Sequence, residues 1–231
     1  MVLSMANGLR QTWGLQNHGI GRYERMSTPR VAKQERSEQT RTEILQTALD
    51  LFSARGFAAV SLRDIADRVG VNHAMIRYHF GGKEELWRES AAFLFERLAQ
   101  EIPPPDPTVE QSPVEALKRY IRGYVHYCAR HPEHARLIVQ ESVEGSERLQ
   151  WVADHYIRPN HARTLKLIEG SNMPAGLVGM DPVMLLYMVV AIAQMPYLVT
   201  AELKFVHDRD VLTPEAIEAH AEAVVKFIFR D

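Results

Sequence analysis

An all-α fold follows from three observations. Apolar residues recur at spacings of three and four through most of the chain, and no strand-like alternation runs long enough to build a sheet. Ser, Asp or Thr followed directly by Pro, a pairing that caps and opens a helix, stands where several of these periodic stretches begin. The pattern gives about nine helices, a compact three-helix unit and then a larger helical body. With 231 residues, 46% of them apolar, the chain is able to bury a substantial core.

Residues 1–36 lack apolar periodicity and mix Gly, Asn, Gln, Arg and Ser, so they read as a flexible basic arm. The first helix is expected from Ser37 to Arg55, with Ile44, Leu45, Ala48, Leu49 and Phe52 on one face and Gly56 ending it. Ser61 and Asp64 have capping-box spacing for a short second helix whose inner side is Ile65, Ala66 and Val69, and Gly70 permits a sharp turn. Asn72 caps an equally short third helix, broken at Phe80-Gly81-Gly82. A longer helix is expected from Lys83 to Pro103-Pro104-Pro105-Asp106-Pro107, a stretch that cannot continue a helix and reads as a stiff connector. Ser112-Pro113-Val114-Glu115 opens the next helix, with Leu117, Tyr120, Ile121, Tyr124 and Cys128 inward. Further starts fall at Pro132, Ser146, Asp181-Pro182 and Thr213-Pro214.

The net charge of -2 hides an uneven spread. Residues 1–36 carry 6 basic and 2 acidic side chains, residues 37–88 carry 7 of each, and the remainder 14 basic and 20 acidic, so an acidic body follows a neutral-to-basic front. The single Cys128 cannot form an intramolecular disulfide, which favours a reducing, cytoplasmic setting, and no secretory signal pattern follows Met1. The longest apolar stretch, Val183 to Val199, contains Gln194 and Pro196 without a basic flank and reads as a buried helix rather than a membrane span. No nucleophile elbow, phosphate-binding loop, dinucleotide fingerprint or metalloprotease motif is present, so neither an enzyme nor a cofactor is expected.

Two short helices around Gly70 behind a longer amphipathic one are the outline of a helix-turn-helix. The full run from Thr40-Arg41 through Ile44-Leu45, Ala48, Leu51-Phe52, Gly56-Phe57, Ser61-Leu62-Arg63-Asp64-Ile65-Ala66 and Gly70-Val71 to Ile76-Arg77-Tyr78-His79-Phe80-Gly81-Gly82-Lys83-Glu84-Glu85-Leu86 resembles the TetR family signature. The resemblance implies a sequence-specific DNA-binding regulator, a ligand-responsive repressor acting as a homodimer on a palindromic operator. It divides the chain into a DNA-binding domain over residues 37–86 and a ligand-binding and dimerisation domain over residues 87–231. Thr40 is counted among the DNA contacts, and Ser61 stands where the family commonly touches a phosphate, although an N-cap role alone would also explain it. Asn72, His73 and Ala74 open the helix that reads base edges, Ala74 through its methyl group only. Arg77, Tyr78 and His79 crowd one turn and are counted among the DNA contacts, Arg77 and Tyr78 being expected to hold the backbone, and Arg77 stands where the family often has an aromatic residue. Lys83 is the usual phosphate lysine, and Gly82 replaces the serine that commonly caps its helix. The arm before Ser37 either tracks a neighbouring groove or is a solvated tail.

Beyond Leu86 the resemblance weakens. An effector pocket among the middle helices would draw on Phe93, Tyr120, Tyr124, Tyr127, Trp151, Tyr156 and Met188, with His134 or His126 as a polar handle, although ordinary core packing competes for each aromatic. Met184, Leu185, Met188, Ala191, Ile192, Met195 and Val199 make one helix apolar on most sides, and Ile217, Ala221, Val224 and Ile228 stripe the last one. In the resembled family these last two helices pair with their copies, so the expected interface is Met184, Ala191, Met195, Ile217, Ala221, Val224 and Ile228. The partners implied are operator double-stranded DNA, a second copy of the chain and a small-molecule effector, without a membrane. Two other readings stay open. One is a metal sensor built on His126, His131, His134, His155 and His161, although no ligand framework accompanies them. The other is a helical interaction module that no longer reads DNA, which the even charge balance of residues 37–88 would suit.

Overall fold

The computed structural model describes residues 29–103, 112–170 and 179–229, with side chains from Gln34 onward. Pro104 to Pro107 of the proline connector and the arm before Pro29 lie outside the described residues. Among those described the protein is all-helical: α1 Pro29–Arg55, α2 Leu62–Val69, α3 His73–Phe80, α4 Lys83–Glu101, α5 Pro113–Arg130, α6 Pro132–Glu144, α7 Glu147–Val152, a π-helical segment Ala153–Ile157, α8 Arg158–Gly170, α9 Pro182–Leu198, α10 Thr200–His207 and α11 Pro214–Ile228. Helix α7 runs through the π segment into α8 without a break, and α9 and α10 meet at a 64° bend around Val199. With α7, the π segment and α8 counted as one rod, the described residues form ten helices, the nine expected plus α10, whose start at Thr200 follows the bend and has no side-chain cap to announce it.

The starts lie where the local chemistry puts them. Ser61 accepts from Asp64 N while Asp64 Oδ2 accepts from Ser61 N at 2.7 Å, a complete capping box on α2. Asn72 caps α3, and Ser112, Ser146, Asp181 and Thr213 cap α5, α7, α9 and α11. Gly70 ends α2 at φ 79°, in the left-handed region that the turn into α3 requires. Helix α1 departs from expectation by starting at Pro29 rather than Ser37. Residues Gln34 to Gln39 are exposed all round, so good helix formers carry this turn with no apolar face to betray it.

Two apolar clusters hold the described helices together. The first joins Ile44, Leu49 and Phe52 of α1 to Ile65 of α2, Ile76 and Phe80 of α3, Trp87, Leu94 and Phe95 of α4, Leu137 of α6 and Val152 of α7. The second packs Leu117, Ile121 and Val125 of α5 against Ile168 of α8, Leu185, Leu186 and Tyr197 of α9, and Ala221, Val224 and Ile228 of α11. The first cluster crosses the expected domain boundary after residue 86, and α4 is shared between the three-helix unit and the body.

Pro196 inside α9 has no N–H for the carbonyl of Ile192, and α11 supplies the missing donor. His220 Nε2 donates to Ile192 O at 3.0 Å, and its Nδ1 accepts from the Tyr197 hydroxyl at 3.0 Å. Burial lowers the His220 pKa, and the neutral ring is the form that donates from one nitrogen and accepts at the other. His220→Phe strands a carbonyl and a hydroxyl, and should cost about 1–3 kcal/mol for each buried group left unpaired. Urea denaturation of the variant against the parent chain measures it.

Candidate DNA interface and effector cavity

Helix α3 is held by two buried side chains, Ile76 and Phe80, and shows water nearly everything else. Asn72, His73, Ala74 and Arg77 are exposed, His79 is half-buried, and Tyr78 is 86% exposed with its ring edge-on to His79. An aromatic ring left this open on a short helix forfeits apolar burial, so its place is not explained by packing. Met75, also exposed, lies on the same helix and went unread in the sequence.

Beside the start of α3, a shallow groove is lined by Ala58, Ala59, Val60, Ser61, Leu62, Arg63, His73 and Lys83. It brings Ser61, His73 and Lys83 together and adds Arg63, whose exposed guanidinium has no partner among the described residues. Lys83 Nζ lies 4.3 Å from the centre of the Phe57 ring and donates to Ala58 O at 3.4 Å, which fixes its ammonium at the groove wall. Burial and then the Arg148 charge lower its pKa. Ser61 Oγ donates to Asp64 Oδ2 at 2.6 Å, so its hydroxyl proton is engaged in the cap. The N-cap role is therefore realised, and a phosphate at Ser61 must compete with that carboxylate. Gly82 gives α4 no side-chain cap. Thr40 is half-buried on α1 and lines neither the groove nor α3.

In the body, a cavity of about 470 Å³ lies among α4, α5, α6, α8 and α9. Of the residues expected there, Tyr120, Tyr124 and His134 line it. Tyr127 is buried behind His134, bonding its Nδ1 at 2.9 Å. Phe93 lies beneath the Arg97 guanidinium, and Trp151 and Tyr156 pack with the first cluster, Tyr156 stacked on Phe95. Met188 turns outward on α9 and is not part of the wall. Phe95, Ile138, Asn160, His161 and Gln194 line the cavity but were not foreseen, because their helices converge only in three dimensions.

The expected subunit face also divides. Ala221, Val224 and Ile228 are buried in the chain's own second cluster against α5, so the stripe on α11 already has its cover. Ile217 is half-buried against the same cluster. Met184, Ala191 and Met195 are exposed on α9, together with Val183, Tyr187 and Met188. The five histidines of the metal reading go to separate partners: His126 to Glu218, His131 to Glu101, His134 to Tyr127, His155 to Trp151 O and His161 to the Tyr187 ring. Among the described residues no group of three His, Cys, Asp or Glu could hold a metal ion, and no single helix is long and apolar enough to cross a membrane.

A short helix that buries one edge, opens the other and follows a glycine turn is shaped to enter a DNA major groove. The fold and this surface are those of a helix-turn-helix DNA-binding transcription regulator. Residues 44–89 match the model described as bacterial regulatory proteins, tetR family, and residues 98–231 match that of the YcdC-like protein, C-terminal region. The chain belongs to the TetR family. It is 30% identical over 152 residues to the HTH-type transcriptional regulator RutR of Escherichia coli K12, covering 65% of this chain and 70% of RutR. It is 53% identical over 49 residues to the HTH-type transcriptional repressor Rv3405c of Mycobacterium tuberculosis, and that stretch is 21% of this chain and 26% of the relative. The match thus spans about a quarter of that relative's length. Among solved structures, the hemolysin II transcriptional regulator HlyIIR is 22% identical with a TM-score of 0.64, covering 84% of this chain and 99% of its own. AibR in complex with isovaleryl coenzyme A and operator DNA is 18% identical with a TM-score of 0.65, covering 82% and 98%. At these identities the likeness to both structures is one of fold.

The capping box carries a pH signature. Hydrogen bonds from Ser61 lower the Asp64 pKa below its ordinary 3.8. A carboxylate with a depressed folded-state pKa contributes stability that is fully present above the unfolded value and lost as pH falls through the folded one. Asp64→Ala should therefore lower the melting temperature at neutral pH, and the gap to the parent should close below about pH 4. A gap that stayed constant through that window would show that the charge on Asp64 does not act in the cap.

Proposed function

We propose that the chain is a ligand-responsive repressor that binds a palindromic operator as a homodimer, with α3 in the major groove and the Ser61–Lys83 groove on the flanking phosphates. The observation that carries this is the open polar face of α3 above a groove that gathers Arg63, His73 and Lys83. Asn72, His73 and Ala74 would read base edges, Arg77, Tyr78 and His79 would brace the backbone, and Thr40 is the outlying contact of the set.

Support for a response to a ligand comes from α6. One side of it lines the cavity with His134, Ala135, Ile138 and Ser142. The same helix meets the three-helix unit, since Gln140 Nε2 donates to Ser53 O of α1 at 2.9 Å and Glu133 pairs with Arg97, whose Nη1 also bonds Gln46 of α1. Arg148, just beyond, lies 4.0 Å from the Phe57 ring centre. A ligand that shifts α6 therefore acts on the seat of α1, and it weakens operator binding only if it binds the DNA-incompetent state more tightly. The ligand named with the AibR structure and the repressor label of Rv3405c agree with this reading.

For the subunit interface we place the second copy on the exposed face of α9, through Met184, Tyr187, Ala191 and Met195, instead of on the buried stripe of α11. Selection of genomic fragments by the purified protein, followed by footprinting, tests the whole reading: a protected palindrome is expected, and absence of any enriched sequence overturns it. Within that assay Tyr78→Ala, Lys83→Ala and Arg63→Ala should each weaken operator binding several-fold with unchanged helicity. The two cation variants should also lower the salt slope by about 1 each. Met184→Lys with Met195→Lys should yield monomers of normal helicity in sedimentation, whereas Val224→Asn should lower stability first. Dimers surviving the double lysine variant would remove the α9 interface.

A further inference from the structure

The effector cavity has a chemical selectivity written in its wall. Leu, Ile, Val, Ala and aromatic side chains make up most of it, and among the described residues no Asp, Glu, Lys or Arg lines it. A carboxylate or phosphate entering the cavity would give up its hydration without a cation to replace it, and an ammonium would do so without an anion. Two histidines are the remaining candidates for charge. Burial, reinforced by Arg97, lowers His134 to about 3, and burial lowers His161 as well, so both rings are neutral at pH 7.

The uncharged polar groups point the same way. Burial raises the Tyr127 pKa, so the phenol keeps its proton, and His134 Nδ1 at 2.9 Å is nearer to it than the Leu94 carbonyl at 3.4 Å. With Nδ1 accepting, the neutral imidazole carries its own proton on Nε2, a donor with no partner among the described residues. The Gln194 amide, which also lines the cavity, has no hydrogen-bond partner among the described residues either. The hydroxyls of Ser142 and Thr164 are already spent on the carbonyls of Ile138 and Asn160. At His134 and Gln194, beside the neutral His161 ring, the wall therefore leaves N–H donors open in apolar surroundings, which suits a neutral acceptor.

Resting on the reading of this cavity as the effector site, we propose that it selects uncharged ligands, an apolar body bearing a carbonyl or amide oxygen, and rejects the corresponding anions. Matched probes test this with the full chain: decanamide against decanoate and 2-naphthamide against 2-naphthoate, compared at pH 7.5 by thermal shift and titration calorimetry. At least one amide should raise the melting temperature and bind roughly tenfold or more tightly than its carboxylate. Gln194→Leu, which keeps the length and removes the amide, should weaken that amide several-fold while leaving helicity and operator binding unchanged. A carboxylate that binds as tightly as its amide overturns the proposal. So does a protein that binds operator but is stabilised by neither member of either pair. Amides that bind without moving operator affinity would uphold the selectivity and overturn the effector role, so the two failures are distinguishable.

Discussion

Phe52, Trp87 and Leu137 lie in one apolar cluster, and the reading unit depends on that sharing. Helices α2 and α3 have 8 residues each, too few to persist in water on their own. Their buried side chains, Ile65, Ala66, Ile76 and Phe80, enter a core completed by α4, α6 and α7. Because anchoring comes from one edge of each helix, the other edge is left free for polar and aromatic side chains that contribute nothing to packing. The cost of an exposed Tyr78 is thus borne by a cluster assembled mostly elsewhere.

The same sharing links the cavity wall to the three-helix unit through α6. Helix α6 has apolar residues toward the cavity and Glu133 and Gln140 toward α4 and α1, so its two faces answer to different parts of the molecule. Directional bonds such as Gln140 to the Ser53 carbonyl transmit a displacement better than apolar contact alone, since they weaken steeply with misalignment.

Helix starts were legible because caps are local: Ser61 with Asp64, Asn72, Ser112 with Pro113, Asp181 with Pro182 and Thr213 with Pro214 each act within a few residues of themselves. The family was legible for the same reason, its signature being a run of such local requirements. What covers a stripe was not. Ala221, Val224 and Ile228 have the period of a buried face, and period says that a face is covered without saying whether α5 or a second copy covers it. The cavity wall was half legible. Tyr120 and Tyr124 follow the inward face of α5, whereas Tyr156 lies within the π segment, whose wider turn shifts it relative to a 3.6-residue reckoning, and Trp151 is drawn to the first cluster. Arg63 went unread because an arginine in the first turn of a helix looks like solvated surface until α3 closes the groove beside it. The exposed stretch Gln34 to Gln39 of α1 carries no apolar period for a sequence reading to find.

The carbonyl of Ile192 gives the proline in α9 a consequence for how the protein is made. Its donor arrives on His220, a ring 28 residues further along the chain. During synthesis α9 emerges with an open carbonyl at its bend and an unpaired Tyr197 hydroxyl, and water must serve both until α11 is released. The second cluster is in the same position, since Ala221, Val224 and Ile228 are made well after the α5 residues that they cover. A chain that stops before α11 therefore keeps a hydrated, opened bend and an uncovered α5, both of which expose it to proteolysis.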